Sequence, residues 1–452
     1  MNSTATAQQH YDRMTKTPVA KLILQLGIPT TVSMLISSIY NMADTYFVGT
    51  LGESAQAATG VLFTLQAIIQ GIAFMLGHGA GTFIAKALAE RDTKGASVYI
   101  STSFFTGAFW GCLILIVGQL CITPLVLFLG STSTILPYAK DYGFWILNAC
   151  PFIICSLILN NCLRYEGKAF YAMFGLTAGG LLNIFGDYLF VKVLNMGVYG
   201  AGLATAISQV ISFLILLLMY IRMAQSRISP RYISKDIRVY GAILRVGLPS
   251  LIRQGMNAVT TGLMNNLTKP FGDAAIAAMT VVNRFSMFLM CMGLGIGQGF
   301  QPVAAFNYSA GKVSRVKKAL IWTTGFCFLL IGGVSLLSLI FAEPVVTLFQ
   351  KNEEVVRIGA AALRFASAGL LFTPLTIPVN MLYQSIRQPG VSSFLSLLRS
   401  GAVTIPILLI GVPLRGLLAV QTAQPIADCL SGLISIPFIL RFLHSAPQDS
   451  LS

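Results

Sequence analysis

Residues 27–79 read GIPTTVSMLISSIYNMADTYFVGTLGESAQAATGVLFTLQAIIQGIAFMLGHG, and residues 247–299 read GLPSLIRQGMNAVTTGLMNNLTKPFGDAAIAAMTVVNRFSMFLMCMGLGIGQG. Gly27-Ile28-Pro29 pairs with Gly247-Leu248-Pro249, and Gly52-Glu53 with Gly272-Asp273. Ala57-Ala58 pairs with Ala277-Ala278, and Gly77-His78-Gly79 with Gly297-Gln298-Gly299. All four pairs share the offset that carries Gly27 to Gly247, so the chain is an internal repeat in one unbroken register. Outward from the repeat, helix breakers and charge clusters delimit twelve apolar runs, near 20–48, 54–84, 97–128, 135–163, 168–191, 198–222, 240–268, 274–306, 317–341, 354–385, 391–411 and 415–442. Each is long enough for a spanning helix, which needs about 20 apolar residues. Six runs fall in each half, so both copies enter from the same side. The repeat is therefore parallel, an arrangement found in secondary transporters, which bind substrate between the halves. The predicted fold is an all-α membrane protein of twelve transmembrane helices in two six-helix lobes. Residues 1–222 form the first lobe, 223–239 a polar linker and 240–452 the second lobe.

Composition agrees. Of 452 residues, 55% are hydrophobic and 10% charged, against roughly 25% charged in a soluble domain. The net charge of +15 raises the question of nucleic acid. With the N-terminus inside, however, 20 of the 30 Lys and Arg fall on inner segments, six outside and four within helices. The 15 acids divide six, six and three. Nearly all the excess is thus the positive-inside bias that orients a membrane protein, and no nucleic-acid partner is expected. The first twenty residues are polar, so no cleavable signal peptide is expected and the first helix directs insertion.

Covalent chemistry finds no foothold. There is no GxxxxGK[ST] loop, no GxSxG, no HExxH and no CxxC pair. The eight cysteines all lie in apolar runs and read as packing residues. His10, His78 and His444 are scattered, and His78, between two glycines, reads as a packing or interface residue. No cofactor and no structural metal are expected.

Acids inside a membrane are costly, about 2.5–3.5 kcal/mol on insertion scales, and mark function. Three exist: Asp44, Asp187 and Asp428. Tyr40 precedes Asp44 by four residues and Asn183 precedes Asp187 by four, a spacing that puts each pair on one helix face and within reach. Arg253, Arg284, Arg364 and Arg399 all lie in the second half, so Asp44 and Asp187 are not expected to pair with them, whereas Asp428 is expected to pair with Arg399 or bond locally. Met256, Met264, Met279, Met287, Met290 and Met292 cluster in the seventh and eighth runs. Flexible thioethers suit a surface that accepts many shapes, although ordinary core filling accounts for them too.

The GxP at the start of each half, Tyr40-Asn41-Met42-Ala43-Asp44, and GIGQGFQPVAAFNYSAGK from Gly295 to Lys312 resemble the multidrug and toxic compound extrusion (MATE) family, in its MepA-like and DinF-like branch. The resemblance covers essentially the whole chain. It implies two six-helix bundles around a V-shaped cavity and export of drugs against an inward proton or sodium gradient. It implies that Asp44, Asn183, Asp187 and Thr205 form the ion-coupling site, with Tyr40 and Asn160 around it. Asn41, Met256, Met287 and Met290 join these as expected cavity residues, and Pro29 stands where a bending proline is proposed to couple protonation to release. The sequence departs from NorM-like members, whose seventh and tenth spans carry a Glu and an Asp. Here Asn257 and Thr373 take those places, so no second-lobe sodium site is expected.

The reading that follows is an antiporter of the bacterial cytoplasmic membrane, a monomer with both termini inside, coupled to H⁺ or alternatively Na⁺ and taking amphipathic or cationic drugs. The alternative is a flippase of lipid-linked or polysaccharide precursors. Such a cavity is expected to be more basic, and the first-half acids argue against it. A membrane-embedded enzyme or receptor lacks any candidate nucleophile or cofactor motif.

Overall fold

The computed structural model describes residues 3–349 and 351–445, which are mostly helical with no strand among them. The first lobe comprises span 1 (Val19–Gly49), span 2 (Glu53–Ala89), span 3 (Thr93–Leu120), span 4 (Leu136–Tyr165), span 5 (Ala169–Val193) and span 6 (Gly197–Met223). The second comprises span 7 (Ile237–Thr268), span 8 (Asp273–Ser309), span 9 (Val313–Ile340), span 10 (Glu353–Leu370 with Thr373–Ser385), span 11 (Pro389–Arg415) and span 12 (Leu417–Ser445). Ten of these helices are long and apolar enough to cross a membrane, and span 10, bent by 46°, makes an eleventh. Span 7 is as long as its neighbours but carries Arg238, Arg245, Arg253 and three asparagines, polarity tolerated only where it faces protein or a cavity.

The backbone repeats more faithfully than the side chains. Positive φ recurs at Gly52 and Gly272, at Arg91 and Gly311, and at Gly167 and Arg387, every pair in the register of the sequence repeat. Arginine adopts that geometry only at a cost of about 1–2 kcal/mol, so the turn is imposed by the fold. Asn160 Nδ2 donates to the Ala172 carbonyl (2.9 Å), and its repeat counterpart, Asn380 Nδ2, donates to the Ser392 carbonyl (2.8 Å). This one brace ties spans 4 and 5 and, in the second lobe, spans 10 and 11.

The lobes meet through span 2 on span 7 and through span 8 on span 1, the same contact made twice. The approach is closest at the Lys/Arg-rich end. Gly247 lies directly on the Met75 backbone and Gly79 on the Ile243 carbonyl, with no room for a Cβ at either. Small residues permit this closeness, and buried polar bonds hold it. His78 Nδ1 and Ser250 Oγ share a hydrogen bond of 2.7 Å, and Arg164 of span 4 donates to Gln298 of span 8. His78 is therefore a seam residue. Arg164, counted by sequence among the inner-loop charges, is in fact buried in the seam. Gln384 donates to Ser250 and to the Val246 carbonyl, both at 3.0 Å, and locks the bonded serine in place.

The polar N-terminus forms a helix, Ser3–Lys16, which sequence left unassigned. It straps the seam from the basic end. His10 meets Gly167 of the first lobe and stacks edge-on against Phe306 of the second at 5.4 Å. The guanidinium of Arg91 and the ammonium of Lys312, one from each lobe, lie over the Tyr11 ring at 5.1 and 5.9 Å. Asn307 and Arg315 bond the Met14 and Thr17 carbonyls at 3.1 and 2.6 Å. The connection between the lobes is pinned as well: Ser97, Ser101 and Thr102 of span 3 bond the backbone of Arg227, Ser229 and Ser234. Glu166 anchors its start, accepting from Gln225 N (2.5 Å), Tyr220 and Ser226.

Span 1 runs unbroken through Pro29, and Ser33 Oγ bonds the Pro29 carbonyl at 3.0 Å. The break falls in span 10, where Leu371 and Phe372 interrupt the helix before Pro374.

Burial, reinforced by Lys168 and Arg13, lowers the pKa of His10 from 6.5 to about 4. Protonation therefore favours the undocked strap. Docking is at full strength above pH 6.5 and weakens as pH falls toward 4, by about 3 kcal/mol over that range at 1.36 kcal/mol per unit. Amide exchange in residues 7–16 is expected to quicken between pH 7.5 and 5 relative to the spans, and His10→Phe to abolish that dependence. Substituting Gly247 by Val is expected to force the seam apart, with a loss of at least about 1–3 kcal/mol, read as a fall in detergent-solution Tm.

Candidate functional site

Between the lobes lies a cavity of about 540 Å³. Its floor is the seam, through Arg164 and Gln298, and its walls run toward the opposite face between Asn41, Phe63 and Asn265. Methionines from both lobes coat it, among them Met34, Met173, Met287 and Met290. Tyr40, Asn41, Asp44, Asn160 and Thr205 also face it. Met256 does not: its methyl group packs on Gly401 of span 11, where a missing side chain leaves the space.

Behind the first-lobe wall sits an acidic pocket. Asp44 of span 1 accepts a hydrogen bond from Tyr142 of span 4 at 2.7 Å. Asn183 of span 5 donates to Thr205 of span 6 at 3.0 Å. Thr205 lies beside the Tyr142 phenol, and Asp187 lies within electrostatic reach of Asp44. Asp44 reaches the cavity, whereas Asn183 and Asp187 are set behind it. The pairing expected at four-residue spacing does not form. Tyr40 packs over Gly180, and neither Asn183 nor any other described group bonds Asp187. Both acids face the lobe interior, where the one donor to Asp44 comes from span 4 and not from its own helix, and Asp187 has none among the described residues. Asp44 Oδ1, Asn183 Oδ1 and both Asp187 oxygens are buried without a partner among the described residues. Unsatisfied buried acceptors cost of order 1–3 kcal/mol each, so the pocket is costly as it stands.

The second-lobe wall has the opposite character. Arg253, Arg284 and Arg399 line it, with Asp428. Arg399 Nε donates to Asp428 Oδ1 at 2.8 Å, as expected from sequence, and Gln424 Nε2 donates to the same oxygen at 3.1 Å. Asn257 faces the cavity, while Thr373 is buried and bonds the Leu370 carbonyl. Arg364 lies outside the site, bonded to the exposed Glu343.

Helix irregularity marks both walls. Span 5 widens into π-helical turns over Tyr188–Val193, directly after Asp187. Span 11 does so over Leu398–Ala402, which contains Arg399. Such turns concentrate at functional sites because the inserted residue re-aims side chains.

Sequence reasoning missed Tyr142, Arg164 and the Ser250–Gln384 bond. The repeat carried a signal for two of them: its register relates Arg164 to Gln384 and His78 to Gln298, a polar set repeated in altered chemistry. Removing one partner of the Arg399–Asp428 pair leaves a half-buried charge uncompensated. Asp428→Asn is expected to cost about 3 kcal/mol, the lower end for a broken buried pair because the cavity admits water. The double variant with Arg399→Gln is expected to recover most of that Tm.

The family model MatE matches residues 29–189 and 246–410, one copy per lobe. Multidrug export protein MepA of Staphylococcus aureus (strain NCTC 8325 / PS 47) is 26% identical over 434 residues, covering 94% of this chain and 95% of that protein. Among solved structures, the outward-facing conformation of a multidrug resistance MATE family transporter of the MOP superfamily aligns with a TM-score of 0.89 at 26% identity, over 95% of this chain and 97% of its own. A MOP superfamily transporter from Pyrococcus furiosus, described as having a binding pocket of reverse polarity, aligns with a TM-score of 0.87 at 26% identity, over 95% and 97%. Two matched copies, a shared fold over nearly the full length and the repeat itself agree: the chain belongs to the MATE family, as a multi-pass membrane transporter and not an enzyme.

Proposed function

We propose that this protein exports amphipathic drugs in exchange for protons, with the basic end in the bacterial cytoplasm, by alternating exposure of the central cavity. The observation that carries the reading is the set of unpartnered buried oxygens on Asp44, Asn183 and Asp187. A carboxylate held in a low-dielectric pocket without donors is stabilised by taking a proton. With the cavity open at the face opposite the basic end, Asp44 is the entry point, since it borders the cavity, and Asp187 behind it is the inner acceptor. Protonation removes the negative charge that holds a cationic group, and the substrate leaves. When the cavity faces the cytoplasm, the proton dissociates and Asp44 again attracts substrate. Carboxylate, amide and hydroxyl oxygens together also suit a sodium ion, which is the alternative coupling ion. The methionine walls accept varied apolar shapes.

The cavity is more basic than sequence led one to expect, with Arg164, Arg253, Arg284 and Arg399 against Asp44 and Asp428. That observation favours a second reading, a flippase of lipid-linked precursors. Export of a fluorescent cation from proteoliposomes decides between them, under an imposed pH or Na⁺ gradient. Wild type is expected to respond to the pH gradient, and Asp44→Asn and Asp187→Asn to lose at least about 90% of the driven flux. Response to sodium alone reassigns the ion. No response to either gradient sinks the antiport reading in favour of the flippase.

A further inference from the structure

The arginines that line the cavity are not explained by drug–proton exchange. Four arginines line the cavity, and among the described residues only Arg399 has a carboxylate partner, Asp428 at 2.8 Å. Arg164 is held by the neutral oxygens of Gln298 and Asn161. Arg253 has no hydrogen-bond or ion-pair partner among the described residues and is within electrostatic reach of Arg399, and His78 lies within that of both Arg164 and Arg253. Arg164, Arg253 and Arg399 thus border the cavity in one chain of mutual electrostatic reach, with Asp428 the single acid paired among them. Like charges gathered away from bulk water are unfavourable unless an anion joins them. Guanidinium is also the side chain best shaped to receive carboxylate or phosphate through two parallel N–H donors. Arg399 leaves one edge for this purpose: its Nε is committed to Asp428 and its Nη2 points at Met290 Sδ (3.1 Å), a weak acceptor.

We propose that Arg253, with Arg399 beside it, is a subsite for the anionic group of the transported molecule. The cavity then takes amphipaths bearing a carboxylate or a phosphate, with the apolar body on the methionine walls and any cationic group toward Asp44. A simple organic cation is a poor occupant of this second-lobe wall. The proposal rests on the reading of this cavity as the transport site and names the class of molecule it accepts. The π-helical turns over Leu398–Ala402 fit this role, because they set Arg399 apart from the regular face of span 11 and into the cavity.

The test is direct binding to the full chain in detergent, using dansylglycine, its methyl ester and the fluorescence of the shared fluorophore. Wild type is expected to bind the acid about tenfold more tightly than the ester. Arg253→Gln is expected to weaken the acid about tenfold and to leave the ester within about twofold of its wild-type affinity, which also shows that the variant is folded. Arg253→Lys keeps the charge but not the fork, and an intermediate preference is expected. Equal affinity of acid and ester in wild type overturns the proposal, as does parallel loss of both in Arg253→Gln. Lysophosphatidylglycerol below its micellar concentration separates the two sources of anion. Displacement of dansylglycine assigns the subsite to a lipid phosphate, and no displacement assigns it to soluble carboxylates; both support Arg253 as the holder. Intact acid preference without gradient-driven flux refutes the antiport and leaves the subsite. Gradient-driven flux without acid preference does the reverse.

Discussion

Close approach of two backbones at the basic end governs everything above it. Span 7 can lie on span 2 only because Gly247 and Gly79 present no side chain, and the contact persists because His78 bonds Ser250 and Arg164 bonds Gln298 across it. The cavity exists because the lobes are held at this one end and separated beyond it. Its floor is polar because the seam is polar. The N-terminal strap adds a second layer, with one ring, Tyr11, receiving a cation from each lobe. A seam made of hydrogen bonds and glycine contacts is a different object from an apolar core. It has directional partners that can be exchanged, and a strap whose hold depends on a neutral His10.

Much of the fold was legible because a membrane imposes few solutions. Twelve apolar runs, a charge bias and one recurrent register sufficed for lobes, order and symmetry. The register was visible in side chains only over residues 27–79, whereas positive φ and the Asn160 and Asn380 braces carry it through residue 167 and beyond. Geometry is kept between the lobes where composition has drifted. The helix at Ser3–Lys16 escaped notice because its stabilisation comes from docking, which no local pattern encodes. The break in span 10 was hidden because a continuous apolar run does not disclose its angle.

The site was legible by half. Asp44 and Asp187 stand out because charge in an apolar run is conspicuous, but their surroundings do not. Tyr142 approaches Asp44 from 98 residues away, and Asn183 turns to Thr205 instead of to the acid on its own face. Arg164 sits beside Glu166 and Lys168 at a span end, so charge counting placed it in a loop, whereas the fold draws it into the seam. Beyond Asp187 the common register of the two lobes is lost. The π-helical turns fall at different depths in spans 5 and 11, and the two turns that follow, at Asn195 and Gly416, have slipped by a single position out of the common register. The lobes agree as scaffolds and diverge where each presents its charge, acid on one wall and guanidinium on the other.

Spans 2 and 8 are each 37 residues long, roughly 55 Å at 1.5 Å per residue, well beyond the roughly 30 Å of hydrocarbon they cross. In each, a glycine packs on the facing lobe near the basic end, Gly79 of span 2 on Ile243 and Gly299 of span 8 on Gly27, so each is a long lever with its fulcrum close to that end. A turn of roughly 10° about Gly79 would move the far end of span 2, about 40 Å away, by roughly 7 Å. In such a geometry any change of angle at the floor reaches the mouth of the cavity magnified.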